Sequence, residues 1–319
     1  VTDSQHTPDS AHAVDSSDNE TRGRTLDPRH VASLGRTLGP AHATKAMQAM
    51  NLADSANPAL SMKPTQAVGE GRSVARENPF HTPAPFYGRV RPEYPQEAVD
   101  AVCGSHVGGR IADIGAGTGK LTRLLLERGA QVVAVEPSAA MREQLDAILG
   151  GAEALQIVAA NAEDTRLPAH SVDVAAYAQS WHWMDPEAAG READRIVRPG
   201  GHMAIVWNQM NVELPWVHRL TRIMRSGDVH RPDKPPRLPE PWGEPELTML
   251  AWEDQVTPEG LLELGTTRSS YLRQNEAGRA RMQDNLRWYL YEHLEFVPGQ
   301  EIALPYTTQV WVAHRCSEL

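Results

Sequence analysis

The sequence predicts an α/β fold, a doubly wound and mostly parallel sheet with helices on both faces, preceded by a tail that does not join it. Three observations carry that prediction. The run Ile111-Ala112-Asp113-Ile114-Gly115-Ala116-Gly117-Thr118-Gly119 reads as a buried strand ending in an acidic, then glycine-rich, turn. A second apolar run, Val132-Val133-Ala134-Val135, follows and ends on the carboxylate of Glu136. After Phe80, strand-like and helix-like segments alternate, the pattern of a parallel sheet buried on both sides.

The elements follow in order. The first strand is expected over 110–114. Its helix carries Leu121, Leu124 and Leu125 on one face and stops at Gly129, a residue suited to the left-handed position after a helix. A second strand is expected over 131–135. Ser138 then caps a helix in which Met141, Leu145, Ile148 and Leu149 recur at helical spacing. Strand three is expected over 154–159 and strand four over 172–178, with a helix over 186–197. That helix meets Arg198-Pro199-Gly200-Gly201, a tight turn needing a positive φ at its third residue. A fifth strand over 202–207 follows. Beyond Asn208 a helix over 216–224 gives way to Pro232, Pro235, Pro236, Pro239, Pro241 and Pro245, too dense for regular structure. A strand over 248–256, helices over 258–264 and 276–294, and a strand over 302–312 complete the reading.

Composition divides the chain at about residue 80. Residues 1–79 contain no Phe, Tyr or Trp, too little apolar surface to offset the entropy of ordering, so a disordered or weakly structured N-terminal extension is expected there. The chain opens with Val, and Met62 is an internal candidate start. The folded domain is expected over 80–319. Net charge is −10, from 41 acidic and 31 basic residues, with no long basic block. That balance disfavours nucleic acid or an anionic membrane as the main partner. No apolar stretch approaches bilayer length, and Cys103 and Cys316 form no disulfide or zinc framework, so no metal is expected and a cytoplasmic location is.

Glycine spacing separates three nucleotide sites that begin alike. A dinucleotide fingerprint counted from Gly115 would put its third glycine at Lys120, a long cation where helix and sheet must pack closely. A phosphate-binding loop would need glycine at Ile114 and Ser or Thr at Leu121. What remains is Asp113-x-Gly115-x-Gly117-x-Gly119, which lets backbone lie flat against a ligand. Glu136, ending strand two, can accept hydrogen bonds from both hydroxyls of a ribose. A helix-start acid favourable to the macrodipole is the other reading of that residue.

This pattern resembles the class I S-adenosylmethionine-dependent methyltransferases, small-molecule type, of the trans-aconitate and ubiquinone-biosynthesis kind. The resemblance covers about residue 80 to the end. It implies a Rossmann-like, seven-stranded, mostly parallel sheet whose last strand is antiparallel. It also implies S-adenosyl-L-methionine as cofactor and a small-molecule methyl acceptor, O-methylation first, with N- or C-methylation open.

The same resemblance implies the site residues. Asp113, Gly115, Ala116, Gly117 and Gly119 would shape the methionine and ribose side, with Glu136, Pro137 and Met141 at the ribose. Asn161, Ala162 and Glu163 would meet the adenine, although which of Asn161, Glu163 and Asp164 faces the base stays open. Gln179-Ser180-Trp181-His182-Trp183-Met184-Asp185 would line the junction of cofactor and acceptor, with Gln179 on the cofactor and Trp181 and His182 on the acceptor. An unperturbed imidazole titrates near pH ~6.5, so His182 could act as a general base, or be a packed ring. If the segment is extended, Trp181 and Trp183 point to opposite sides. The segment Phe86-Tyr87-Gly88-Arg89-Val90-Arg91-Pro92-Glu93-Tyr94-Pro95 would form a lid, with Tyr87 at the cofactor and Arg91 at the acceptor. Two other functions remain open at this point: a nicotinamide-dependent dehydrogenase, and a catalytically silent cofactor-binding partner or sensor.

Overall fold

The computed structural model describes residues 90–226 and 230–316. The extension over 1–79, its boundary, and residues 86–89 of the lid segment, Tyr87 among them, lie outside the described residues.

A helix α1 (Gln96–Cys103) precedes β1 (Arg110–Ile114), α2 (Lys120–Glu127), β2 (Gln131–Val135), α3 (Ala139–Leu149) and β3 (Leu155–Val158). Next come β4 (Val172–Ala178), a 3₁₀ turn (Trp181–Trp183), α4 (Pro186–Ile196) and β5 (Val197–Met210). The seven strands form one sheet in the order β3-β2-β1-β4-β5-β7-β6, where β6 is Glu246–Val256 and β7 is Ile302–His314. β1 lies parallel between β2 and β4, with Ala112 opposite both Val133 and Ala175. β7 runs antiparallel to both its neighbours, β5 and β6, so the sheet is otherwise parallel in sense, as expected.

Alternation along the strands builds one core on each face. Ala112, Ile114, Val133, Tyr177, Met203 and Ile205 pack with Ala189, Ala193 and Ile196 of α4 on one side. Ile111, Val132, Val174 and Ala204 pack with Val99 and Val102 of α1 and Leu121, Leu124 and Leu125 of α2 on the other. A third cluster joins Val217 and Leu220 of α5 (Pro215–Ile223), Leu261 and Leu264 of α6 (Pro258–Thr266) and Leu286 of α8 (Glu276–Arg287) to Leu304 and Tyr306 of β7. Among the described residues no helix is long and apolar enough to cross a membrane.

Differences from the sequence reading sit where local pattern is weak. β5 begins at Val197 instead of 202, because Val172 pairs with Val197 and Val174 with His202, leaving Arg198–Gly201 as a bulge. Within that bulge Gly200 has φ +82°, the conformation its place in the turn required. The helix expected through 294 is α-helical only to Arg287 and continues as a π turn (Trp288–His293), which buries the consecutive Tyr289 and Leu290. A four-residue helix α7 (Ser269–Leu272) is too short for periodicity to reveal.

The proline-rich excursion docks on α4 at a glycine. A Cβ at Gly190 would lie 2.4 Å from the Pro239 ring, and the Gly190 carbonyl accepts the Trp242 indole N–H at 2.8 Å. Gly190→Ala is therefore expected to lift this segment and destabilise the fold by about 1–3 kcal/mol, the usual cost of overpacking. Urea denaturation read by tryptophan fluorescence checks this; an unchanged midpoint would mean the segment floats.

Candidate active site

The sheet order reverses at β1, whose neighbours β2 and β4 lead outward in opposite directions, and ligands of open α/β sheets bind beyond the carboxyl ends of strands at such a point. A cavity of about 520 Å³ opens there. Its floor is the glycine turn. Gly115 and Ala116 donate N–H bonds to the Val135 carbonyl at 2.8 and 3.2 Å, fastening the turn to β2. Gly115 has φ +74°, and a Cβ there would stand 2.6 Å from Ser180 Cβ. Gly117, at φ +58°, lines the cavity and would direct a Cβ towards the Met141 sulfur, 3.5 Å away.

Two members of the glycine pattern act beneath the cavity instead of lining it, a correction to the sequence reading. Gly119, at φ +87°, stands just before α2, and a Cβ there would come within 3.0 Å of Leu145 and Leu149 side chains, so it serves helix packing. Asp113 is buried, facing α2, where its Oδ2 accepts the Thr122 hydroxyl at 2.6 Å. Burial pushes its pKa up to about 6, against the Thr122 hydrogen bonds, with Glu136 adding repulsion. An acid whose folded pKa is raised contributes stability that is present at low pH and lost as pH rises through that pKa. From 3.8 to about 6 this corresponds to roughly 3 kcal/mol. Asp113→Asn should thus reduce the loss of stability between about pH 4 and 7, measured by denaturant titration across that range; an unaltered pH slope would contradict it.

Glu136 lines the cavity at the end of β2 and is only 5% exposed. Its Oε2 accepts the Gly117 N–H at 2.9 Å and its Oε1 the Ser138 N–H at 2.8 Å. Each oxygen keeps a second lone pair for a ligand hydroxyl. Desolvation raises its pKa, opposed by the two backbone bonds and by Arg142. The Ser138 hydroxyl caps α3 through the Met141 N–H, as expected, and so brings Met141 and Pro137 to the cavity wall. Past β3, Asn161, Ala162 and Glu163 also line it. Asp164 instead pairs with Asn161 in an isolated bridge, and Glu163 Oε1 accepts the Asp185 N–H at 3.1 Å, tying this loop to the start of α4.

After β4, Gln179 adopts φ +56°, a conformation rare for a residue other than glycine and concentrated at functional sites. Its N–H reaches the Val206 carbonyl at 2.9 Å and its side-chain amide donates to the Asn208 carbonyl at 2.8 Å, which hold that backbone in place. Ser180 donates its hydroxyl to the Ile114 carbonyl at 2.8 Å. The next three residues form a 3₁₀ turn, not an extended strand, and the two tryptophans separate differently from the expectation. Trp181 does not line the cavity; it packs edge-on against Tyr177 in the core, ring centres 4.9 Å apart. His182 and Trp183 both line the cavity, rings 5.0 Å apart, with His230 5.5 Å from His182.

The remaining wall comes from before β1 and from the C-terminal half. Arg91 lines the cavity and donates to the Thr267 carbonyl at 2.7 Å. Beside it stand Tyr94, from the end of the lid segment, and Asn208, Arg225, Arg268, Arg273 and Tyr306, which the sequence reading did not single out. These five are scattered over about one hundred positions in segments without a motif. Lys120 also lines the cavity, its ammonium bonded to Glu93 Oε1 at 2.7 Å.

Comparison with known proteins points to one family. Residues 112–205 match the family model described as a methyltransferase domain. An uncharacterized methyltransferase of Mycobacterium tuberculosis is 40% identical over 223 residues, covering 70% of this chain and 89% of that protein. An uncharacterized methyltransferase-like protein of Schizosaccharomyces pombe is 30% identical over 169 residues, covering 52% of this chain and 64% of that protein. A solved structure assigned as a type II methyltransferase, from Anaeromyxobacter dehalogenans, superposes with a TM-score of 0.54 at 27% identity, over 70% of this chain and 97% of that one.

Proposed function

Since the chain belongs to the class I S-adenosylmethionine-dependent methyltransferases, with S-adenosyl-L-methionine as methyl donor, we propose that it methylates a small-molecule acceptor, at oxygen first, in the cavity beyond β1 and β4. The observation that carries this is the pairing of a glycine floor, where a Cβ would intrude, with a buried carboxylate at the end of β2. A cavity of about 520 Å³ is the size of a small-molecule pocket.

The residues present fit the donor. Glu136 has lone pairs for the ribose hydroxyls, Gly115, Ala116 and Gly117 offer backbone that a flat ligand can approach, and Asn161, Ala162 and Glu163 suit the adenine edge. When bound, the donor supplies a methyl group on a positively charged sulfur. What the chain contributes is chiefly position and dryness: in-line displacement is governed by the alignment of the attacking atom and by excluding water. Gln179, Ser180, Trp183 and Met184 wall that junction. His182, on the same wall, has the chemistry to take the proton from an acceptor hydroxyl or amine through a ring nitrogen.

Calorimetry with S-adenosylmethionine and with NAD tests the donor side, and transfer of tritiated methyl into an extract of small metabolites tests the acceptor side. Binding of NAD alone, or label entering only macromolecules, would sink the proposal. His182→Ala should lower turnover about 100-fold or more while donor affinity stays near wild type, since proton removal matters only during transfer. Lost donor binding in that variant would return the histidine to a packing role.

A further inference from the structure

We propose that the packing of α1 on the sheet is an acid-released latch: His202, set between His106 and His314, holds the last turn of the helix while it is neutral and releases it on taking up a proton. The inference concerns the end of the sheet away from the glycine turn and does not rest on the methyltransferase reading.

The last carbonyls of a helix need partners from outside its own ladder. In α1 the Asp100 and Cys103 carbonyls accept the Gly104 and His106 N–H groups at 2.9 Å each. The Val102 carbonyl is reached by the Nε2 of His202, also at 2.9 Å, from 100 residues further along the chain. A carbonyl can only accept, so that ring nitrogen carries a hydrogen. His202 is 2% exposed, and a Cβ at Gly104, where α1 ends, would stand 3.2 Å from its ring. Two further imidazoles flank it. His314 is its direct partner across the β5–β7 ladder and His106 belongs to the loop after α1, each with its ring centre 5.4 Å from that of His202.

The position is unfavourable for a charge. Burial holds the His202 pKa below that of an ordinary imidazole; the Val102 bond works against this, and His314 and His106 add repulsion. The surrounding groups bring no relief. Asp173 of β4 is bonded to the Arg110 N–H and the Arg198 guanidinium, and its charge lies beside His106 instead of the buried ring. On α1, Asp100 pairs with Arg128, and burial keeps Cys103 a neutral thiol. Next to His314, Arg315 pairs with Asp194. Among the described residues no carboxylate pairs with His202. A histidine whose folded pKa is depressed contributes stability that is present above its unfolded value, near pH ~6.5, and is lost as pH falls below it. A proton on either outer ring makes a charge on His202 costlier still. The buried ring then gains its proton by turning out to water, which requires the turn over it, Val102 to His106, to lift.

Hydrogen–deuterium exchange by mass spectrometry on the full chain, corrected for the intrinsic pH dependence of exchange, reads such local opening. Overall stability does not serve, because Asp113 titrates in the same window with the opposite sign. Protection of peptides covering residues 96–106 should fall about tenfold or more between about pH 7.5 and 5, one pKa unit being tenfold in the opening equilibrium, while that of β4 changes less than about twofold. His202→Gln keeps a donor for the Val102 carbonyl and cannot be charged, so it should remove most of that fall. His106→Gln and His314→Gln, on more accessible side chains, should each reduce it, since each removes one repelling neighbour. If His202→Gln does not fold, these two variants decide. Protection of α1 that persists at the lower pH, that falls in step with β4, or that falls equally in wild type and the variants overturns the latch.

Discussion

Glu136→Ala is expected to weaken S-adenosylmethionine binding about 100-fold or more. Each hydrogen bond from a hydroxyl to a charged acceptor contributes about 1.5–3 kcal/mol, and every 1.4 kcal/mol is tenfold in affinity. The carboxylate also accepts the Gly117 and Ser138 N–H groups and so joins the glycine turn to the start of α3. Alanine removes the ligand contact and loosens the floor together, whereas Glu136→Gln keeps one acceptor oxygen and should lose less. Burial raises the Glu136 pKa, so the carboxylate is neutralised at a higher pH than an exposed glutamate would be. Donor affinity should accordingly decline earlier on acidification. Calorimetry that finds the alanine variant equal to wild type would remove the ribose assignment.

Gly117→Val is the second large effect, and its comparison with Lys120→Ala is what makes it informative. At φ +58° a β-branched residue is strained by about 1–2 kcal/mol, and its side chain would extend towards Met141 across the space a ligand needs. Donor binding should become undetectable. Lys120→Ala removes an ion pair whose two side chains are 18% and 45% exposed, and Glu93 keeps Arg123 as a partner at 2.9 Å. A loss below about 1 kcal/mol in stability and a change of a few-fold in donor affinity follow. If Lys120→Ala were the more damaging, the turn would be a phosphate-binding loop.

The cavity wall around the glycine turn was legible because it is local. A strand, a turn, a helix and a second strand place Gly115, Gly117 and Glu136 within about twenty residues, and each carries its signal in residue type. Pattern could not say which glycine lines the cavity: Gly117 does and Gly119 faces Leu145, although both stand on the same alternating register. Asp113 reads as part of the motif, yet its side chain belongs to the α2 face. Trp181 and Trp183 were separable by alternation only if the segment were extended, and a 3₁₀ turn rotates successive side chains differently. The arginine wall was illegible for a different reason. Its members meet only through tertiary contacts, Ser270 to Met224 and Arg91 to Thr267, between segments with no shared period.

The position of β7 bears on how the chain reaches this structure at all. It lies between β5 and β6, yet it is made after both. In the finished sheet β5 and β6 do not pair with each other, and the edge that each turns towards β7 is filled only by residues 302–314. Closing the sheet then joins Ile205 to Trp311, contacts more than a hundred positions apart, a topology that folds slowly and exposes sticky strand edges meanwhile. The segment through Met184, which carries the glycine turn, can gather earlier as a vectorial intermediate. Slow codons, chaperone engagement or a C-terminal fusion tag would therefore act on the sheet's completion far more than on the glycine turn.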